Sequence, residues 1–216
     1  MARRGSRRAD GGNLRRRGPT RDPLPLVLVV CEGKVTEPEY LDAFRIAHGA
    51  NTVRVRVESP GGDPRALVER AVRLRDEADR EARRARDRNL RYDEVWCVFD
   101  VDHHQRLDDA RSEAERSRVH LAVSNPSFEL WLLLHFIEQT AHLSPRQARD
   151  RLRKHLPSYD KHVSFADVSG GYGEAVRRAE ALDARHAAAG SPGGNPSTGV
   201  YRLTERIRQF GKENRL

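Results

Sequence analysis

Apolar positions in this chain form short uninterrupted runs, separated by longer stretches that are dense in charge. Residues 26–30 follow Pro25, are apolar throughout and mostly β-branched, and Gly33 lies just after them. Such a run predicts a strand that is buried on both faces. Glu94–Asp100 shows the same pattern, and Val53–Val57 alternates valine with arginine, so both are predicted to be strands as well.

The charged stretches between these runs carry helix signals. Thr36 is placed to cap the first helix, with Glu39 three residues later completing a capping box. Asp63 and Pro64 mark the start of the second helix in the same way. Helices are predicted from residue 36 onward and over 66–89, 107–118, 128–136, 145–156, 172–189 and 200–210, with a further strand over 119–124 and a flexible loop over 190–199.

The order of these elements favours one α/β core over residues 23–140, with a central parallel sheet flanked by helices. Residues 141–216 are expected to form a C-terminal helical extension that packs on this core and closes over its site. Residues 1–22 are arginine, glycine, serine and aspartate with almost nothing to bury, so we expect a disordered basic arm there.

The charge of the chain suggests an anionic partner. Its net charge is +8 at pH 7 and its sequence pI is about 10.1, a balance that favours nucleic acid. Arg15, Arg16, Arg17 and Arg21 of the arm are candidates for phosphate contacts, which give affinity without sequence information. The alternatives are that the arm is a solubilising tail and that the arginine excess reflects composition alone.

The cysteines exclude several classes of protein. Cys31 and Cys97 lie inside predicted strands, where we expect buried thiols. There is no CxxC pair and no cysteine framework, which argues against a structural zinc site and a secreted fold. The sequence also shows no signal-peptide core and no membrane span, so we expect a cytoplasmic protein without a membrane partner.

Acidic side chains stand where two of the predicted strands end. Glu32 follows the first strand, and Asp100 and Asp102 come at the end of the run Glu94–Asp100. Carboxyl ends of neighbouring parallel strands share one edge of a sheet, where ligands bind in open α/β folds. Crowded carboxylates raise one another's pKa unless a cation joins them, and such oxygen ligands suit Mg²⁺ or Mn²⁺. Taken alone, Glu32 is equally compatible with an ordinary loop charge.

Other charged residues are candidates for the same site. Glu37 is a possible further metal ligand, although a favourable interaction with the helix dipole is its simpler role. Glu129 lies in an otherwise apolar segment, where a charge is costly unless it is paired or ligating. Lys34 and Lys161 are candidates for contacts to a phosphate or to its transition-state charge, with an ordinary surface loop as the alternative for Lys161.

Two short motifs, Glu32-Gly33 and Asp100-Val101-Asp102, are similar to the signature of Toprim domains, which occur in topoisomerases, primases and OLD-type nucleases. The longer strings CEGKVTEPEYL, NPSFELWLLLHF, YDK and NPSTGVYRLTE resemble the RloB-like family of bacterial Toprim proteins, over residues 25 to about 205. This resemblance implies a Toprim-like sheet, a link to phage defence and an ATPase partner encoded separately.

These observations together predict a metal-dependent nuclease that hydrolyses phosphodiester bonds of DNA or RNA. Glu32, Asp100 and Asp102 are expected to hold the metal, while Glu129 and Lys161 assist catalysis. Nothing resembles the tyrosine nucleophile module of a topoisomerase, so hydrolysis is favoured over strand passage. The alternatives are a non-catalytic nucleic-acid- or partner-binding subunit whose acids hold a structural ion, and nucleotidyl transfer as in primases.

Overall fold

The computed structural model describes residues 25–58, 63–101 and 107–213 of the chain. Its strands are β1 (Val27–Cys31), β2 (Val53–Val57), β3 (Glu94–Asp100), β4 (His120–Asn125) and β5 (Ser197–Thr198). Its helices are α1 (Thr36–Ala47), α2 (Pro64–Ala85), α3 (Leu107–Ser117), α4 (Phe128–Leu134), α5 (Pro145–His155), α6 (Phe165–Val168), α7 (Tyr172–Ala188) and α8 (Val200–Glu213). Among the described residues, no helix is long and apolar enough to cross a membrane.

The five strands form one sheet in the order β2-β1-β3-β4-β5. Strands β1 to β4 run parallel, and β5 pairs antiparallel with β4. In the ladder, Cys31 lies opposite Val98, and Asp100 lies opposite Ser124. The carboxyl ends of β1, β3 and β4 therefore meet at one edge, which confirms the predicted α/β fold with its mainly parallel sheet.

The two faces of the sheet bury different helices because successive side chains of a strand point to opposite sides. Val29 and Cys31 belong to the larger core, which includes side chains of α1, α4, α5, α7 and α8. Leu28, Val30 and Cys97 belong to a smaller core under α2 and α3. Both cysteines are free and buried, as predicted.

The helices after residue 140 share the larger core with the sheet. Leu152 of α5, Ala179 of α7 and Ile207 of α8 are fully buried in the same cluster as Val29 of β1. This packing fixes the C-terminal segment against α1 and α4, and it brings the loop after α5 next to the carboxyl edge of the sheet.

The segment 190–199, predicted to be a flexible loop, is held by hydrogen bonds instead. Ser197 and Thr198 pair with the end of β4, and the Thr198 hydroxyl lies 3.0 Å from that of Ser124. Backbone groups at the edge of β4 need partners, and β5 supplies them. The Thr198 hydroxyl also accepts a hydrogen bond from the Val200 N–H at 3.3 Å, at the start of α8.

Helices α2 and α6 differ from the sequence prediction for local reasons. Helix α2 ends at Ala85 because Arg86 adopts a left-handed conformation, with φ of 53°, that closes the helix. Helix α6 was not predicted, since four residues are too short for an apolar period to show. It is stabilised by a capping box in which Ser164 and Asp167 exchange hydrogen bonds, and it buries Phe165.

Candidate functional site

A cavity of about 320 Å³ opens at the carboxyl edge of the sheet, where β1 and β3 end. Its walls come from the β1–α1 loop, the start of α4, the start of α5 and the loop after α5. The charged side chains that line it are Glu32, Lys34, Glu37, Asp100, Glu129, Arg149 and Lys161. Four acidic groups from three separate parts of the chain therefore converge on one space together with three cationic groups.

The turn from β1 into α1 places two of the carboxylates. The Glu32 N–H donates to the Val98 carbonyl at 3.0 Å, which extends the pairing of β1 with β3 by one residue. Glu37, in the first turn of α1, is buried and its carboxylate lies directly against Gly33. A Cβ atom on residue 33 would overlap that carboxylate, so glycine at this position lets the Glu37 side chain keep its place.

The electrostatic environment of Asp100 disfavours its charged form. Burial raises the pKa of Asp100 well above its ordinary value, and the nearby carboxylates of Glu37, Glu129 and Glu32 raise it further. The backbone N–H of Phe128 acts in the opposite direction by stabilising the carboxylate. Asp100 is thus a crowded acid that gains stability from any cation that enters the cavity.

Glu37 is perturbed in the same way. Burial raises the pKa of Glu37, and the charges of Glu129 and Glu32 add to the rise. The positive charge of Lys161 and a backbone N–H at the start of α1 lower the pKa and offset part of this effect. The charges of Glu129 and Glu32 therefore raise the pKa of both buried acids.

Glu129 is held in place by three donors. The Ser127 hydroxyl donates to its Oε2 at 2.6 Å, and the Tyr159 hydroxyl donates to its Oε1 at 3.2 Å. Arg149 of α5 approaches the same oxygen with its Nε at 3.4 Å. A buried charge in this apolar helix is therefore paired, as the sequence led us to expect.

Thr36 has a different role from the one predicted. Val35 occupies the N-cap position of α1, and no side-chain hydrogen bond caps this helix. The Thr36 hydroxyl instead donates to the Lys161 carbonyl at 2.7 Å and lies 3.3 Å from the Tyr159 hydroxyl. The predicted capping box with Glu39 is wrong because these tertiary contacts take the hydroxyl away from the helix end.

The loop that carries Lys161 is strained at that residue. Lys161 has φ of 90°, a conformation that side-chain-bearing residues rarely adopt. Its carbonyl is bonded to Thr36, and the same residue lines the cavity with its side chain. Strain of this kind persists only where surrounding contacts hold it, and it is concentrated at functional sites.

Most of the predicted site residues meet in this cavity. Those that line it are Glu32, Lys34, Glu37, Asp100, Glu129 and Lys161. Those that lie outside the described residues are Asp102 and the arm residues Arg15, Arg16, Arg17 and Arg21. The sequence did not indicate that Arg149 lines this cavity, because no local pattern distinguishes one arginine of a strongly charged helix from the others.

The donor set of the cavity fits a hard divalent cation. Its acidic groups are carboxylates, and like charges in a partly desolvated space favour the entry of a cation. Within the described ranges, no three His, Cys, Asp or Glu side chains already form a metal-binding group. The cavity therefore contains acidic side chains with cationic side chains beside them. Asp102, a further predicted metal ligand, lies two residues after Asp100 in the sequence.

Fold and site together define an α/β protein with a carboxylate-lined cavity at the carboxyl edge of a mainly parallel sheet. The chain belongs to the RloB-like protein family, whose model matches residues 27–207. No curated protein and no solved structure matches the chain.

Proposed function

We propose that this RloB-like protein is a divalent-metal-dependent nuclease of the Toprim type, which hydrolyses phosphodiester bonds in DNA or RNA. One observation carries the proposal: Asp100 and Glu37, each with a raised pKa, share a cavity with Glu32 and Glu129 at the carboxyl edge of the sheet. A group of acids that destabilise one another is costly to keep unless a cation uses it.

In this proposal Glu32, Glu37 and Asp100 hold Mg²⁺ or Mn²⁺, and Asp102 is a further ligand. When bound, the metal supplies Lewis-acid stabilisation of the negative charge on the phosphate. Burial of Glu37 against Gly33 restricts the movement of one carboxylate. Preorganisation of this kind lowers the cost of assembling the site.

The cationic side chains bind the substrate. Lys161 and Lys34 line the same cavity as the acids and contact non-bridging phosphate oxygens. Arg149 lies at the α5 side of the cavity, where it pairs with Glu129 and stays more than one third exposed. Glu129 either completes the ligand set or accepts a proton, and its three donors keep its carboxylate oriented for that role.

The family resemblance supplies the biological setting of the proposal. The similarity of the motifs to RloB-like proteins implies a role in bacterial phage defence and an ATPase partner. A cytoplasmic location is a further part of the proposal. The basic arm would add phosphate contacts along the nucleic acid, outside the cavity.

The test is a cleavage assay with purified protein on panels of single- and double-stranded DNA and RNA. We expect cleavage with Mg²⁺ or Mn²⁺ and none with EDTA. Glu32→Gln and Asp102→Asn should reduce the rate by orders of magnitude while the melting temperature stays near that of wild type. Glu174→Gln is the matched control, because Glu174 is an exposed acid of α7 that pairs with Arg177.

Two outcomes would overturn this function. If wild type cuts no member of the panels with either metal, the protein is a non-catalytic binding subunit and not a nuclease. If both acidic variants cut as fast as Glu174→Gln, the cleavage has another site.

A further inference from the structure

A second cavity, of about 420 Å³, lies beside β4 on the face of the sheet that α3 covers. Val123 of its floor lies opposite Phe99 in the ladder, and Phe99 belongs to the smaller core. Asp100, the next residue of β3, points to the other face because strand side chains alternate. This cavity is therefore separate from the acidic one and shares no lining residue with it.

The floor and walls of the second cavity are mostly apolar. Leu121 and Val123 of β4 are partly exposed, and they supply the aliphatic floor of the cavity. Ala187 at the end of α7 and Pro192 of the following loop form the opposite wall. A mostly apolar slot of this size accommodates the ring system of a small ligand.

The loop wall is fixed before any ligand binds. The Asn125 side chain donates to the Gly193 carbonyl at 3.0 Å, and the Ser191 N–H donates to the His186 carbonyl at 2.9 Å. The His186 Nε2 donates to the Pro196 carbonyl at 3.0 Å. Hydrogen bonds from β4 and from α7 thus hold both ends of the loop, so ligand binding would not have to order it.

Two guanidinium groups border the cavity. Arg202 is anchored by Asp183, which also accepts a hydrogen bond from the Tyr201 hydroxyl at 2.8 Å. Arg111 is loosely held: among the described residues its acidic partner is Asp108, at 3.5 Å, and the Asp108 side chain is 96% exposed. An arginine beside a mostly apolar slot is suited to an anionic ligand when the acidic partner it has in the described part of the chain is distant and solvated.

From this arrangement we propose that the second cavity binds a nucleoside monophosphate unit. The flat base packs on Leu121 and Val123, and Arg111 contacts the phosphate. The carboxylate of Asp183 accepts a hydrogen bond from a ligand hydroxyl or amino group. The unit is either a free mononucleotide or one nucleotide of a nucleic-acid chain, and its binding does not depend on cleavage at the acidic cavity.

Isothermal titration calorimetry of the full chain in EDTA tests the proposal. The probes are AMP, GMP, CMP and UMP, with adenosine and inorganic phosphate as partial ligands. We expect a monophosphate to bind at least tenfold more tightly than either partial ligand, because only the complete unit uses both the apolar floor and Arg111. The proposal is overturned if every monophosphate binds no more tightly than adenosine or inorganic phosphate.

Variants locate the binding and distinguish its source. Arg111→Gln should weaken binding of the monophosphate about 10- to 100-fold, as the loss of a charge-assisted contact predicts. Arg116→Gln is the matched control on the same helix, since Arg116 is 70% exposed and pairs with Glu113 away from the cavity. Ala187→Phe narrows the slot from an exposed helical position and should weaken binding without a loss of folding, which melting curves check.

A single-stranded oligonucleotide titrated against the same variants completes the design. Selective loss of oligonucleotide binding in Arg111→Gln assigns the cavity to a nucleotide within a chain. An effect on the monophosphate alone assigns it to a free nucleotide. Similar affinities in Arg111→Gln, Arg116→Gln and wild type would show that the cavity does not bind this ligand class, and the cleavage assay would be unaffected by that result.

Discussion

The Tyr159 hydroxyl donates a hydrogen bond to Glu129 Oε1 at 3.2 Å, and it lies 3.3 Å from the Thr36 hydroxyl. Tyr159 follows α5, Glu129 lies in α4 and Thr36 begins α1. One phenol group therefore connects three separate parts of the chain at the wall of the acidic cavity.

Tyr159→Phe should disturb the site more than the fold. Loss of the hydroxyl removes a donor to a buried carboxylate, so we expect a destabilisation of about 1 to 3 kcal/mol and a several-fold slower cleavage. Tyr172→Phe is the control, because the Tyr172 hydroxyl donates to Glu205 at 2.7 Å, away from the cavity. Urea denaturation and cleavage rates of both variants check this; equal effects on cleavage would show that Tyr159 has only a structural role.

We expect wild type and Asp100→Asn to exchange their order of melting temperature when Mg²⁺ is added. In EDTA, Asp100→Asn removes one of several crowded like charges, so it should melt at or above the temperature of wild type. A ligand that binds only the folded state stabilises it by about 2.7 kcal/mol at a hundredfold excess over its Kd. With millimolar Mg²⁺, wild type should gain this stabilisation and the variant much less.

Calorimetric scans of both proteins, first in EDTA and then in Mg²⁺, measure the reversal. Parallel shifts of wild type and Asp100→Asn on addition of Mg²⁺ would exclude Asp100 as a ligand.

Gly33→Ala should damage the metal site through Glu37. The added Cβ overlaps the Glu37 carboxylate, so that side chain must move. We expect a lower melting temperature and loss of most of the Mg²⁺-dependent stabilisation. Gly173→Ala is the control: a Cβ there meets nothing within 4 Å, and alanine in a helix is favoured over glycine by roughly 0.5–1 kcal/mol. A Gly33→Ala protein that responds to Mg²⁺ like wild type would contradict the placement of Glu37.

His135 makes stability depend on pH. Its Nδ1 donates to the Trp131 carbonyl at 3.0 Å, and its Nε2 accepts from the Tyr40 hydroxyl at 3.3 Å. Burial, reinforced by the charge of Arg178, lowers the pKa of His135 from 6.5 to about 4. Between these values the unfolded chain binds a proton that the folded chain does not, so stability falls as pH falls from about 6.5 towards 4, by roughly 3 kcal/mol.

Protonation of the buried acids changes stability with pH in the opposite direction. The pKa values of Glu37 and Asp100 are raised on folding, so the folded chain takes up their protons first and their destabilising effect is relieved as pH falls.

The variant His135→Gln isolates the contribution of His135 to the pH dependence of stability. Unfolding free energies at pH 7, 6 and 5 should decline less steeply in His135→Gln than in wild type, whereas His142→Gln, at an exposed histidine, should follow wild type closely. Equal slopes for His135→Gln and wild type would contradict the prediction.

The basic arm predicts a change in salt dependence. Deletion of residues 1–22 should weaken nucleic-acid binding and flatten the plot of log affinity against log salt concentration, since each lost phosphate contact lowers the slope by about 0.7 to 0.9. The melting temperature should change little because the arm sequence contains few apolar residues. If the slope of log affinity against log salt concentration is unchanged by the deletion, the arm makes no phosphate contacts.

The sequence by itself determined the sheet and its acidic edge. Uninterrupted apolar runs specify β1 and β3 because a strand buried on both faces has no polar alternation. Glu32 and Asp100 follow from those runs, since parallel strands end at a common edge. Helix starts with a local signal, such as Ser144 before Pro145, were also predictable, because capping needs only neighbouring residues.

Only the tertiary structure decided which distant groups reach that edge. Thr36 carries the local signal of a cap, yet its hydroxyl bonds to the Lys161 carbonyl, 125 residues away. Arg149 and Tyr159 reach Glu129 because α5 packs on α4, a contact that no local pattern encodes. Segment 190–199 has the composition of a loop, but the unpaired edge of β4 makes part of it a strand, because buried backbone groups must find partners.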